Sequence, residues 1–253
     1  MKMKKIIIDT DVGTDVDDLF ALTYAIKNPD IRIQTITTVH GNTEIRAKIV
    51  KKLERILGVE IPVIAGAEKT LDRECYWCGF EHLALSKEEM KEPLAYLKYP
   101  RCDKNTTLVC IGPLTNIALQ LEKNKSIKNI KNIYLMGSSF DDHNFNVDPK
   151  ATKIVLSRPW KKKYITKEVS EKINFTREDL KSLCINELGD FIYESAIRWL
   201  DYAKREKAYM YDVLTVSAAI GEDFVKFKEE GSKILSYDVD SKLKDKIIEV
   251  IRS

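Results

Sequence analysis

Ile6-Ile7-Ile8-Asp9-Thr10-Asp11-Val12-Gly13-Thr14-Asp15-Val16-Asp17-Asp18 decides how this chain is read. Three consecutive β-branched residues form a strand apolar on both faces. Five aspartates then fall within ten residues, and Leu19, Leu22 and Ile26 follow at helical spacing. Strand, acidic turn and helix make the opening of a βα unit. The turn sits at the carboxyl end of its strand, where open α/β sheets gather their sites. Carboxylates packed this closely repel one another and call for a cation. An all-oxygen set suits Ca²⁺ or Mg²⁺ better than zinc. Helix capping needs one Asp and does not account for five. An EF-hand loop carries its glycine in sixth place, whereas Gly13 is fifth counting from Asp9.

The alternation continues outward from this stretch. Residues 31–39 are β-branched and predict a second strand, and Ile45, Ile49, Leu53 and Ile56 mark a helix closed by Gly58. Short strands are expected over 61–64, 106–111 and 133–136. Helices are expected from about Thr115, over 151–156 behind Asp148-Pro149, and over 187–205 with Ile192, Ala196, Trp199 and Ala203 inward. Strands alternating with helices through short loops predict one α/β domain, a doubly wound, mostly parallel sheet covered on both faces. The single domain would run over 1–253, with 67–104, rich in charge, aromatics and Cys, as an excursion or lid.

Composition narrows the class. Hydrophobic residues make up 44% of 253, enough for a packed core and against intrinsic disorder. Lys+Arg 42 against Asp+Glu 39 leaves +3, too little for a nucleic-acid binder. Lys161-Lys162-Lys163 has no interleaved aromatics and is expected on a solvated face. No apolar run reaches the ~18 residues that span a bilayer. Met1 to Ile8 begins like a signal peptide, but Asp9 and Asp11 cut the apolar run short. Five cysteines, an odd number, favour a reducing cytoplasm over a disulfide framework. Cys75-x-x-Cys78 with His82 lacks a fourth zinc ligand, which leaves a thiol pair, a labile disulfide or plain packing.

Three later pieces can converge on the acidic turn. Ile111-Gly112-Pro113-Leu114-Thr115-Asn116 is a strand-to-helix turn. Asp142-His143-Asn144-Phe145-Asn146-Val147-Asp148-Pro149 follows a strand, and its Asn side chains suit sugar hydroxyls or turns. Tyr211-Asp212-Val213-Leu214 opens an apolar helix, where a lone Asp is an N-cap by default. Together these resemble the nucleoside hydrolases of the inosine-uridine-preferring type. The resemblance runs from about residue 4 to 220 in the right order. It comprises the Asp9–Asp18 loop, Thr38-Val39-His40-Gly41-Asn42, Gly112-Pro113-Leu114-Thr115-Asn116-Ile117-Ala118, Asn144 to Pro149, and Asp212-Val213-Leu214.

The resemblance implies Ca²⁺-dependent hydrolysis of the N-glycosidic bond of ribonucleosides, in base salvage, by a homo-oligomer, dimer or tetramer. It implies that Asp11, Asp18, Asp212 and the backbone carbonyl of Ile111 hold the metal. Asp11 would also take a proton from the attacking water. Asp17, Asn42, Asp142 and Asn144 would hold ribose hydroxyls. Tyr211 stands where relatives carry a His that assists the leaving base, and is the second candidate catalytic residue, donating a hydrogen bond to the base or stacking on it, with packing beside the helix as the alternative. The loop departs from the family pattern in Val12, where Pro is usual, and in two extra residues, so that Asp15 competes with Asp17 for the ribose. A His-Gly segment usual in mid-chain has only Gly79 to His82 as its nearest match.

Two other classes fit parts of the pattern. A haloacid-dehalogenase-like phosphatase also begins with an apolar strand and Asp-x-Asp, with Gly189-Asp190 as its late acidic element. It wants Gly then Thr after the second Asp, where Val12 and Gly13 stand. A catalytically inactive nucleoside- or ribosyl-binding homologue would keep the acidic pocket and tolerate Val12 and Tyr211.

Overall fold

The computed structural model describes residues 3–73 and 78–253. Strand β1 runs over Lys4–Thr10 and is buried from Ile6 onward. Ile6 and Ile8 pack into one hydrophobic cluster and Ile7 into the other, so the strand's two-residue period serves two cores at once. The elements that follow are α1 Asp17–Ile26, β2 Ile31–Thr38, α2 Thr43–Leu57, β3 Val63–Ala65, α3 Lys87–Lys91, β4 Thr106–Cys110, α4 Thr115–Lys123 and β5 Asn132–Met136. Next come α5 His143–Val147, α6 Pro149–Leu156, β6 Lys161–Ile165, α7 Lys167–Ser170, β7 Asn174–Thr176, α8 Arg177–Lys181 and α9 Glu187–Ala203. The chain closes with β8 Lys207–Tyr209, α10 Tyr211–Ile220, β9 Val225–Glu230, β10 Lys233–Val239 and α11 Lys242–Arg252.

Eight strands form the main sheet in the order β3-β2-β1-β4-β5-β6-β10-β9. All neighbours pair in parallel except β9, which lies antiparallel to β10 at the edge. Apolar residues of α1, α2, α9, α10 and α11 cover one face, and those of α4 and α6 the other. The sheet is therefore the doubly wound, mostly parallel one expected. Strand order reverses between β1 and β4, and the crevice at the carboxyl ends of those two strands is the topological switch point.

Helices α1 and α10 are buried on nearly every side, from Asp17 to Ala25 and from Asp212 to Ala219. Each is apolar all round after an acidic first turn, which suits an interior helix. Their amino-terminal ends open on the switch point. The positive end of the helix dipole favours carboxylates there.

Three parts differ from the sequence reading. Lys161-Lys162-Lys163 does not form a solvated face. It belongs to β6, between β5 and β10, and only Lys161 is exposed. Lys163 keeps its stem in the sheet and lays its ammonium 4.5 Å from the Phe227 ring and 5.4 Å from Tyr134, and burial lowers its pKa. Residues 143–147, whose Asn side chains suited sugar hydroxyls or turns, form the short helix α5. Strands β7 and β8 pair into a separate two-stranded sheet that no local pattern announced. Residues 67–104 leave the main sheet after β3 and return at β4, and their described part contributes one 3₁₀ turn, Glu81–Ala84, and α3. Cys75 lies outside the described residues, and Cys78 is a free, half-buried thiol.

Candidate active site

A cavity of about 410 Å³ opens at the switch point. The acidic loop supplies its floor with Asp11, Asp15, Asp17 and Asp18, and Asp212 enters from the start of α10. Ile111 after β4 and Met136 with Asp142 and Asn144 after β5 form one wall, while Trp199, Arg205 and Tyr211 form the other. A wider groove of about 800 Å³ lies along Lys98, Arg101, Lys123 and Lys125, and none of these aspartates reaches it.

The loop is held in shape from below by Arg46. This side chain is 1% exposed. Its Nε donates to the His40 carbonyl at 2.7 Å, and Nη1 donates to the Val12 carbonyl at 2.8 Å and to the Asp11 carbonyl. Nη2 reaches Thr14 Oγ1 at 3.2 Å. One guanidinium thus satisfies carbonyls that a tight acidic turn would otherwise bury unpaired. Gly13 turns the loop at φ +115°, and a Cβ there would stand 2.7 Å from Ile49 Cδ1. Glu81, fully buried, accepts from Thr14 Oγ1 at 2.9 Å and so fastens the 67–104 excursion to the loop. The same excursion reaches the far wall, where Leu71 N donates to Asp148 at 2.9 Å and Arg73 Nη1 to the Asn146 carbonyl at 2.7 Å.

Asp17, Asp18 and Asp212 place a carboxylate oxygen each within 4.8 Å of one another, and all three are buried. Asp11 stands beside them, with its backbone N and Oδ1 packed against Gly112. A Cβ on Gly112 would come within 2.9 Å of both atoms, so only glycine allows the approach. The mutually close set therefore contains Asp17, in addition to the Asp18 and Asp212 expected as ligands. The donor set is hard oxygen on a converging, preformed floor, which fits a divalent cation of the Ca²⁺ or Mg²⁺ kind.

The other expected residues divide. Ile111 lines the cavity, and its carbonyl accepts from Asn144 Nδ2 at 3.0 Å. Asn144 also donates to the Met136 carbonyl at 3.4 Å, so its amide nitrogen bridges the ends of β4 and β5. Asp142 lines the cavity, while its Oδ2 accepts from the backbone of Ser138 and Ser139 at 2.6 and 2.9 Å. Tyr211 lines the wall and donates its hydroxyl proton to Glu171 Oε1 at 3.2 Å. Asn42 is exposed, caps α2 by accepting from Ile45 N at 3.0 Å, and is not among the cavity-lining residues. Asp15 lines the cavity and accepts from Val16 N at 2.6 Å. Asp190, the late acidic element of the phosphatase reading, sits exposed in the first turn of α9 and outside the cavity.

Sequence reasoning passed over Arg46, Glu81, Trp199 as a cavity wall, and Arg205. Only Arg46 left a usable sign: 46, 50 and 53 share the buried stripe of α2, an unusual place for an arginine.

Burial and mutual repulsion push Asp17, Asp18 and Asp212 well above the ordinary carboxylate range. Burial raises Asp15 to about 6 and Asp9 to about 7, although Asn116 and Thr37 hydrogen-bond to Asp9. Raised carboxylate pKa values mean that the folded, metal-free protein binds more protons than the unfolded chain. Its stability is then full below the unfolded value of about 4 and falls as pH rises through the folded values. We expect the melting temperature of metal-free protein to drop between about pH 4 and 7. A saturating divalent cation is expected to flatten that slope. Differential scanning calorimetry with and without chelator reads both, and a metal-free melting temperature rising over this interval would contradict the site electrostatics.

The fold and the acidic switch-point cavity define a class, doubly wound α/β proteins with a preformed oxygen site for a cation. Within it, the chain belongs to the inosine-uridine preferring nucleoside hydrolase family, whose model matches residues 6–246. An inosine-uridine preferring nucleoside hydrolase of Crithidia fasciculata is 32% identical, over 62% of this chain and 58% of its own length. The pyrimidine-specific ribonucleoside hydrolase RihA of Shewanella sp. (strain MR-7) is 31% identical, over 78% of this chain and 72% of its own. The chain thus spans less than two thirds of the Crithidia relative. Among solved structures, a purine-preferring ribonucleoside hydrolase from Gardnerella vaginalis superposes with TM-score 0.79 at 20% identity, covering 98% of this chain and 99% of that one. An inosine-guanosine nucleoside hydrolase superposes with TM-score 0.78 at 22% identity, covering 98% of each chain. At these identities the superpositions speak for the fold.

Proposed function

We propose that this protein hydrolyses the N-glycosidic bond of ribonucleosides to ribose and free base, with Ca²⁺ on the acidic floor. The observation that supports this most is the buried Asp17, Asp18 and Asp212 cluster beside Asp11, at the switch point of a family member. Asp11, Asp18, Asp212 and the Ile111 carbonyl would hold the ion, which when bound supplies Lewis-acid activation of water and offsets the repulsion among the carboxylates. Asp17, together with Asp142 and Asn144 on the far wall, would engage ribose hydroxyls. Asn42, as a helix cap, would need to turn out of its hydrogen bond to join them.

The chemistry asks three things of these residues. The C1′–N bond breaks with its electron pair going to the base, and the ribosyl fragment gains oxocarbenium character. Fixed carboxylates beside the ring stabilise that positive charge. A water oxygen bonds to C1′, and its proton passes to Asp11, which lines the cavity in the space that Gly112 leaves free. Trp199 and Tyr211 offer aromatic faces to the base. A cytoplasmic homo-oligomer completes this reading.

Chelator-stripped protein is expected to release no base from uridine or inosine, and added Ca²⁺ to restore release. Full activity with no metal detected by elemental analysis would refute the Ca²⁺ requirement. Binding of nucleosides without turnover in Ca²⁺ would identify an inactive binding homologue instead.

A further inference from the structure

Arg205 stands just beyond the end of α9. Lys204 takes the left-handed conformation there at φ 53°, and Arg205 N closes the helix on the Leu200 carbonyl at 2.9 Å. This turn delivers the guanidinium to the cavity mouth, 5.7 Å from the Trp199 ring centroid, where it lines the wall together with Tyr211. Lys167, the other full-time cation on the lining, lies 3.8 Å from Glu171, and Glu171 also takes the Tyr211 hydroxyl proton. Among the described residues Arg205 has no such ion pair, although its charge partly offsets the burial that raises Asp15. The cavity lining therefore carries, among the described residues, one guanidinium outside any ion pair, on the same stretch of lining as the Trp199 ring.

We propose that Arg205 is a catalytic residue that stabilises the departing base as an anion, and that leaving-group departure relies on this charge. The inference rests on the hydrolase reading above. When the C1′–N bond breaks, the electron pair stays on the base nitrogen and spreads over its ring and carbonyl oxygens. A planar guanidinium near the Trp199 ring can meet that charge with parallel N–H donors and needs no proton transfer in the step. The base anion then takes a proton from solvent, while the water-derived hydroxyl remains on C1′ and its other proton on Asp11. The phenolic proton of Tyr211, already engaged by Glu171, does not enter this step.

The test uses wild type, Arg205→Met and Arg205→Lys, each saturated with Ca²⁺, on uridine and on a series of substituted phenyl β-D-ribosides ending in 4-nitrophenyl. Arg205→Met is expected to lower kcat on uridine by roughly 10²–10³-fold, the scale of losing one preorganised charge-stabilising group. On 4-nitrophenyl riboside, whose anion needs little help, the loss is expected to be small. The plot of log kcat against leaving-group acidity becomes steeper, Arg205→Lys falls between, and millimolar guanidinium restores part of the Arg205→Met activity on uridine. Arg205 is exposed, so the melting temperature is expected to stay at the wild-type value. Equal losses across the series with no guanidinium rescue would overturn the proposal. So would a defect confined to KM for uridine 5′-phosphate, measured alongside as a further substrate, which would make Arg205 a phosphate contact. Wild type that cleaves none of these ribosides would instead refute the hydrolase reading, and the inference with it.

Discussion

Asp11→Asn is expected to lower kcat on every ribonucleoside by ~10²–10⁴-fold or more, since an amide accepts a proton poorly. Asp15→Asn is expected to cost far less. The two residues sit four apart in one loop and both line the cavity, so composition does not separate them. Geometry does. Asp11 is pressed against Gly112 at the end of β4, next to the buried cluster, whereas Asp15 turns its Oδ1 back to Val16 N. Asp11 is also a proposed ligand of the ion, so its substitution combines loss of the proton acceptor with weaker ion binding, and the measured affinity separates the two. Steady-state rates at saturating Ca²⁺, with Ca²⁺ affinity measured by calorimetry on each variant, give the answer. A reversal of severity would show that Asp15, and not Asp11, takes the proton, and that the two extra loop residues shift the register.

Arg46→Met is expected to be the most damaging substitution for stability outside the apolar core. It leaves the His40, Asp11 and Val12 carbonyls without their donor in a buried turn. A buried group left unsatisfied costs ~1–3 kcal/mol, so a total of about 2–5 kcal/mol is expected. At ~2–4 °C per kcal/mol for a chain of this size, the melting temperature drops by on the order of 10 °C. Ca²⁺ affinity falls as well, because the loop that presents Asp11, Asp17 and Asp18 loses its shape. Arg46→Lys recovers only part of this, since an ammonium does not span carbonyls and Thr14 with a planar fork. Thermal melts by circular dichroism check the first expectation and calorimetry the second. A variant that melts and binds Ca²⁺ like wild type would refute the role of Arg46 as the loop's support.

The main sheet and the acidic floor were legible from local pattern. A triple-isoleucine strand alternating between two cores, an acidic turn and an apolar helix give the βα opening, and its repetition gives parallel pairing. The site segments appear in order because each is a strand end or helix start with its own composition: Asp17-Asp18 before α1, Gly112-Pro113 after β4, Asp142 to Asp148 after β5, and Asp212 at α10. The end of the sheet was less legible. Three lysines in β6 contradict the apolar rule for an inner strand, and they are tolerated because Lys161 is exposed, Lys162 Nζ donates to the Arg158 carbonyl at 2.5 Å and Lys163 carries its ammonium to aromatic rings.

Within the site, side-chain commitments escaped the sequence reading. Asn42 was expected at the ribose and caps α2, since a side chain three residues from an unpaired helical N–H bonds it locally. Asn144 was expected at the ribose and spends its amide nitrogen on the carbonyls of Ile111 and Met136. Tyr211 has its hydroxyl on Glu171, a partner forty residues away at the end of α7 that only packing brings near.

Residue pattern alone determined the α/β class and the acidic turn at the end of β1, because burial periodicity and charge crowding act over neighbouring residues. Only the tertiary structure decided that Asp212 meets Asp17 and Asp18, that Arg46 carries the loop, that Glu81 ties the excursion to it, and that Arg205 stands over Trp199 at the cavity mouth. These contacts join residues from separate elements of the chain, and what selects them is the way α1, α2, α9 and α10 pack on one sheet. No local spacing carries that information.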